Sequence, residues 1–447
     1  MRRIIAASFI LFHITAFAGR GATLVIDNAT KEYLTVKSVS SSCVIGQEQI
    51  NTTIGSVNVA NIYLEASNDI LKGCSYSTSK GEVELYSAKG DFIARTSYSI
   101  SNTGTNAWVS SQGANFVTNS YAHNTYDRGS DKDLIVINVT PADKNIQEYA
   151  NWMGNMKDQL QNKSLSTLVL PGTHDSLTND LSTSLCEADP DSAWYKKFGM
   201  GFAKAQYLDM SQQLNRGIRY FDIRLCHQNG KNYISHTLLS KKSFEASLMQ
   251  LDSFLNEHPK EMVILDLQHI YGYDKNSLST LLDFIQVKFD GRIISYDKFN
   301  PSSKLADIWN SNFGSNLIVI LPDTELAQEI IKNPKYSFAW PRNTINSPWP
   351  NTTNTGELIN KNSQYLENRS FDSFFVNQLQ LTPDGDFITK NLSYSLERMA
   401  YESLDKVYQW QWNNLQSGKL NILMRDWSDG YDGTILAIEA NKVNREL

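Results

Sequence analysis

The fold turns on LSTLVLPGTHDSLT, residues 165–178. Leu168, Val169 and Leu170 read as a buried strand. Pro171 and Gly172 are expected to stop it, since proline offers no ladder N–H and glycine allows a sharp turn. Thr173, His174, Asp175 and Ser176 follow, all able to form hydrogen bonds. A loop held at the end of a buried strand is a common mount for catalytic groups.

Downstream of this stretch, strand and helix patterns alternate. The segments 218–226 (IRYFDIRLC), 233–235 (YIS), 261–268 (EMVILDLQ), 316–322 (NLIVILP), 374–381 (FFVNQLQL) and 421–427 (NILMRDW) read as further strands. Phe244, Leu248, Leu251 and Leu255 form one helical face that Pro259 closes, and 277–289 and 392–412 read as two more helices. Such alternation predicts a largely parallel sheet covered by helices, an irregular (β/α) barrel of the TIM type over residues 142–447. Just upstream, Trp152, Met156 and Leu160 are spaced for one face of a helix over 145–162.

Residues 19–141 read differently. ATLVIDN, EYLTVKSV, ANIYLEAS, GEVELYS, DFIARTSYSI and DLIVINVT alternate apolar and polar residues between turn-forming ones. A smaller all-β sandwich connected mostly by hairpins is expected there, ending at Pro141 and the polar PADKNIQ. It could bind sugar, lipid or a partner protein, or simply brace the second domain. The first eighteen residues, MRRIIAASFILFHITAFA, carry a basic start, a short apolar stretch and an A-x-A site. They predict a cleaved signal peptide and a secreted or periplasmic protein. Cys43, Cys74, Cys186 and Cys226 suit that destination. Proximity favours Cys43–Cys74 and Cys186–Cys226 among the three connectivities that four cysteines allow. No C-x-x-C or H-x-x-x-H spacing suggests zinc.

A length of 447 residues implies two domains, and 41% hydrophobic with 20% charged residues is the composition of a globular protein. The formal charge of −6 argues against a nucleic-acid partner and against a polybasic membrane anchor, but not against transient contact with a phospholipid surface.

Active sites of (β/α) barrels lie where strands end. The strand ends of this chain deliver His174 and Asp175, then Asp222 and Arg224 two apart on one strand face, then His236, and finally Asp426. Two imidazoles can serve as base and acid, a guanidinium can hold phosphate oxygens, and carboxylates can orient the imidazoles. That set fits phosphodiester cleavage.

PGTHDS, then GIRYFDIR and ISH, then VILDLQH, FAWPRNTINSPWPNTT, FFVNQLQLTP and NILMRDW together resemble the X domain of phosphatidylinositol-specific phospholipase C, over roughly residues 148–445. Trp152-Met153, SPWPNTT and VNQLQLTP look most like the subgroup that carries an X domain without the other eukaryotic modules. The resemblance implies that His174 is the general base taking the proton of the inositol 2-hydroxyl, supported by Asp426. It implies that His236 is the general acid, with Asp175 as its partner and Asp222 as an orienting acid. Arg224 matches the arginine that bacterial forms place against the phosphate, where calcium-dependent animal enzymes use a metal. No metal and no other cofactor are therefore expected. The implied products are diacylglycerol and a cyclic inositol phosphate.

The match departs at the headgroup: where bacterial members carry a lysine, Gln268 or His269 stands here, and NLIVILPDT holds no basic residue. Gln268 and His269 are the candidate substrate contacts beside Arg224. The same chemistry on another phosphodiester or a glycosylated inositol lipid, or a non-catalytic lipid- or glycan-binding role, are the alternatives. His227 and His258 read as structural, and His123 as part of a polar loop. Trp194, Tyr195, Trp349, Trp427 and Tyr431 are candidate rim aromatics for a lipid interface. Asn28, Asn51, Asn138 and Asn351 begin N-x-S/T sequons.

Overall fold

The computed structural model describes residues 20–443, apart from 70–71, 75–78, 102, 126–130, 143–145, 192–198 and 312–314. The expected signal peptide with His13, and Trp194 and Tyr195, lie outside the described residues. No described helix is long and apolar enough to cross a membrane.

Strands fill the region up to Pro141: β1 (Gly21–Asn28), β2 (Leu34–Ser42), β3 (Val44–Ile45), β4 (Thr52–Ile54), β5 (Asn58–Ala66), β6 (Ser79–Ser87), β7 (Phe92–Ser101), β8 (Gly104–Gln112), β9 (Phe116–His123) and β10 (Asp133–Pro141). They form two five-stranded sheets, ordered β3-β5-β1-β10-β9 and β4-β2-β6-β7-β8. Leu24 and Ile26 of β1, Ile135 and Ile137 of β10, Val83 and Leu85 of β6 and Ile93 of β7 meet in one apolar cluster between them. The chain is less hairpin-like than its pattern suggests. β1 and β10 are parallel neighbours from opposite ends of the segment, in register from Ala22↔Asp133 to Asn28↔Val139. Every residue of β10 is buried. Its second face, with Val25 of β1, packs against the C-terminal half of the chain, which explains the near-continuous hydrophobic run DLIVINV. β8 and β9 are too polar for alternation to reveal, and His123 ends β9 rather than lying in a loop.

Beyond Pro141 the protein is mixed α/β. Its strands are β11 (Leu170–Thr173), β12 (Leu181–Leu185), β13 (Tyr220–Gln228), β14 (Lys231–His236), β15 (Leu238–Ser243), β16 (Val263–Tyr271), β17 (Leu317–Ile320), β18 (Ile345–Asn346), β19 (Phe374–Gln378) and β20 (Ile422–Arg425). Parallel pairing runs in the order β18-β19-β20-β11-β13-β16-β17. Ile320 at the end of β17 forms a further parallel bridge to Trp340. The covering helices include α1 (Phe244–Glu257), α2 (Lys275–Lys288), α3 (Thr355–Glu367), α4 (Leu396–Asn414) and α5 (Tyr431–Asn441). Leu248, Leu251 and Leu255 of α1 pack with Val263 and Leu265 of β16, as the helical spacing predicts.

Three sequence expectations need correction here. Pro171 and Gly172 do not stop the first strand; they lie inside β11, and the turn starts at His174. Gly172 is required because a Cβ there would sit 2.8 Å from the Tyr220 ring. The YIS segment belongs to β14, which runs antiparallel to β13 rather than joining the parallel set. Asn229 (φ 54°) and Gly230 (φ 71°) make the two-residue reversal between them, an Asn-Gly hairpin signal present in the sequence. Finally, the helix expected over 145–162 breaks into short pieces, Ile146–Ala150, Trp152–Asn155 and Lys157–Leu160.

Both disulfides form as proximity suggested, Cys43–Cys74 and Cys186–Cys226. They fit an oxidising compartment. Of the sequon asparagines, Asn28 and Asn138 are buried and hydrogen-bonded inside the fold, whereas Asn51 and Asn351 are exposed.

Candidate active site

The six candidate catalytic side chains come together at the C-terminal ends of the parallel strands. His174 follows β11, Asp222 and Arg224 project from β13, and Asp426 follows β20. His236 arrives from the returning hairpin strand β14. Register drives the meeting: Thr173 pairs with both Phe221 and Arg425, so the residues just beyond these positions share one level.

A single left-handed residue turns the chain away after each of three functional side chains. Asp175 (φ 40°) follows His174, Thr237 (φ 62°) follows His236, and Trp427 (φ 48°) follows Asp426. Non-glycine residues adopt this conformation at a cost of order 1–3 kcal/mol, so three at one mouth mark a geometry held by its surroundings. Gln206 is one such support. Its Nε2 donates to the carbonyls of both His174 and Arg425, each at 2.9 Å.

His174 Nδ1 lies 2.7 Å from Asp426 Oδ1. Its Nε2 faces Arg224 Nη2 at 3.4 Å and Asp175 Oδ2 at 3.5 Å. His236 donates through Nδ1 to the Ala203 carbonyl at 2.8 Å, which leaves Nε2 directed at Asp175 Oδ2, 3.4 Å away. Both imidazoles thus approach the same oxygen of Asp175 through Nε2. Arg224 Nε pairs with the other oxygen of Asp175 at 2.5 Å. Asp222 Oδ2 accepts the Asp175 N–H at 3.1 Å.

Burial and charge oppose each other throughout this cluster. Burial alone would push Asp175 up, but Arg224, His174 and His236 outweigh it and hold the carboxyl well below the usual range. Burial disfavours the charged form of His174, yet Asp175 and the hydrogen-bonded Asp426 raise it to about 9. His236 is lowered, first by burial, with Asp175 only partly compensating. Asp222 is raised to about 6 by burial and by the charge of Asp175.

His174, Asp175 and Asp222 bring ligand atoms within 4.8 Å of one another. Calcium takes six to eight oxygen ligands. The donors here are an imidazole and two carboxylates, one already tied to a guanidinium that supplies the local positive charge. This donor set does not suit calcium.

The headgroup candidates Gln268 and His269 lie on β16 next to Arg224. His269 pairs with Arg224 across a bulge and is exposed, stacked parallel on Tyr271 with centroids 6.0 Å apart. Sequence reasoning missed a second group deeper in the mouth. Asp266 stands level with Asp222, and it accepts from Tyr220 Oη at 2.7 Å and from Arg342 Nη1 at 2.6 and 2.8 Å. An aspartate inside the apolar run VILDLQ was the available signal. Among the aromatics, Trp349 is exposed and Trp427 is half-buried, stacked on Tyr207. Tyr431 is not on the rim; it is fully buried at the start of α5, edge-on to Tyr149. His227 holds Asn232, and His258 is buried at the end of α1, both outside the cluster.

The fold and this mouth define a mixed α/β protein whose parallel strands present imidazoles, carboxylates and a guanidinium at one end. No family model matches the chain. Among curated proteins it is 27% identical over 322 residues to PI-PLC X domain-containing protein 3 of Bos taurus, spanning 68% of this chain and 97% of that one. It is 30% identical over 269 residues to PI-PLC X domain-containing protein 2 of Homo sapiens, spanning 57% and 84%. The chain belongs to the PI-PLC X domain-containing proteins. Those names state a domain and not an activity. A solved phosphatidylinositol-specific phospholipase C from Listeria monocytogenes aligns with a TM-score of 0.48 at 20% identity, over 67% of this chain and 99% of that one.

Proposed function

We propose that this chain is an exported phosphodiesterase that cleaves phosphatidylinositol-type lipids, in transient contact with a membrane surface, by acid–base catalysis without a metal. The reading takes residues 142–447 as a closed, irregular (β/α) barrel and residues 19–141 as a β-sandwich joined to it. The observation that carries it is the shared Asp175 carboxylate, which gathers His174, His236 and Arg224 at one point.

In this mechanism the lipid phosphate enters between the two imidazoles, and Arg224 turns its guanidinium to the non-bridging oxygens. His174 Nε2 takes the proton of the ring hydroxyl adjacent to the phosphate, and Asp426 stabilises the imidazolium that forms. That hydroxyl oxygen attacks phosphorus, and the bond to the glycerol oxygen breaks. His236 Nε2 donates a proton to the departing oxygen, releasing diacylglycerol and a cyclic phosphodiester. The active pair carries one proton in all, on His236. The pH profile is therefore a bell, rising through the lowered pKa of His236 and falling through that of His174 near 9.

The test is phosphorus NMR of the water-soluble products formed from phosphatidylinositol, phosphatidylcholine and sphingomyelin vesicles in excess chelator, with His174→Ala alongside. A cyclic inositol phosphate made only by the natural sequence supports the reading. Activity that appears only on adding calcium overturns the role of Arg224.

A further inference from the structure

Arg425, the residue before Asp426, is tied to the N-terminal sheets through a buried chain of polar groups. Its guanidinium pairs with Asp432. Tyr408 Oη of α4 lies 2.7 Å from Asp432 Oδ2 and 3.2 Å from Asp27 Oδ1, near the end of β1. Asp27 Oδ2 accepts from Asn138 Nδ2 of β10 at 2.8 Å. All five side chains are buried.

Hydrogen counting makes this chain directional. A tyrosine hydroxyl has one proton and cannot donate to two carboxylates. Asp432 already faces Arg425 and accepts the Gly433 N–H, so it is the ionised member and takes the tyrosine proton. The contact at Asp27 is then satisfied only if Asp27 carries a proton and donates it to Tyr408 Oη. We propose that Asp27, as a neutral acid, is a positioning residue for the His174–Asp426 pair, acting through Tyr408, Asp432 and Arg425. The inference rests on the proposed function for its kinetic arm.

The surroundings of Asp27 agree with a neutral carboxyl. It is raised to about 7, first by burial and then by the charge of Asp429, with Arg425 opposing. Tyr121 of β9, Tyr207, and Tyr401 of α4 complete the titratable groups around it. The far end of the chain reaches the site through backbone as well, since the Arg425 carbonyl accepts the His174 N–H at 3.1 Å. A shift of Arg425 therefore moves both the acceptor of this bond and the carboxylate that holds His174. The N-terminal sheets are in this view part of the catalytic apparatus and not only a brace.

The test compares Asp27→Ala, Asp27→Asn and Tyr408→Phe in the full chain. The first readout is the pH titration of the His174 ring followed by NMR on histidine-labelled protein, assigned by its loss in His174→Ala. The second is kcat against KM on phosphatidylinositol vesicles. Asparagine reproduces the neutral, donating carboxyl, so Asp27→Asn is the rescuing variant. The expected result is a His174 midpoint moved down by at least half a unit and kcat lowered at least tenfold at unchanged KM in Asp27→Ala, with Asp27→Asn close to the natural protein. Should Asp27→Ala fail to fold, Tyr408→Phe removes only the hydroxyl and must move His174 in the same direction. A His174 midpoint unaltered in both, or Asp27→Asn as damaging as Asp27→Ala, overturns the inference. If the natural protein cleaves no lipid, the proposed function fails, and the NMR titration still decides the role of Asp27.

Discussion

Replacing Asp426 by asparagine removes one negative charge and leaves the shape of the site almost unaltered. In the natural protein His174 Nδ1 and Asp426 Oδ1 are 2.7 Å apart, with Asp426 buried. A hydrogen bond to a charged group is worth roughly 1.5–3 kcal/mol. At 1.36 kcal/mol per pKa unit this is a fall of roughly 1–2 units in the pKa of His174, from its raised value of about 9. The upper limb of the pH–rate profile moves down by that amount. At the plateau kcat drops by about 10²-fold or more, because asparagine neither stabilises the imidazolium nor enforces the tautomer. Stability follows with a defined sign. A histidine raised from 6.5 to about 9 on folding stabilises most below pH 6.5, and that contribution disappears as pH rises through 9. The loss in Asp426→Asn is therefore largest at pH 6 and small at pH 10. Urea unfolding at both values, together with a full pH–rate profile, measures each part. An unshifted upper limb with kcat within twofold of the natural protein would refute the pairing of these two residues.

Arg224→Lys keeps the charge but loses the second donor of the guanidinium; a fall of about 10²–10³-fold in kcat is expected, unrelieved by calcium, from steady-state assays with and without chelator. Glu261→Gln leaves Arg219 buried without its anionic partner, to which it now donates at 2.6 and 2.9 Å. About 3–5 kcal/mol of stability is then lost in denaturant unfolding. Removing the Cys186–Cys226 bridge, which closes a separation of 40 residues, costs about 4 kcal/mol by the chain-entropy relation and lowers the urea midpoint accordingly.

What was legible in the sequence was whatever depends on local pattern. Alternation marked most strands of the N-terminal sheets, the spacing of Phe244, Leu248, Leu251 and Leu255 marked α1, and strand ends named His174, Arg224, His236 and Asp426 as neighbours. Each of these signals lies within one element, where side-chain periodicity follows from backbone geometry. Tertiary structure alone decided the rest. It placed Pro171 and Gly172 inside β11 because flanking strands supply the ladder on both sides. It set Asp266 against Arg342, and Asp27 against Tyr408 at a separation of 381 residues. Such pairs form because a buried charge or hydroxyl must find a partner wherever the packed chain presents one, and no short-range pattern encodes that choice.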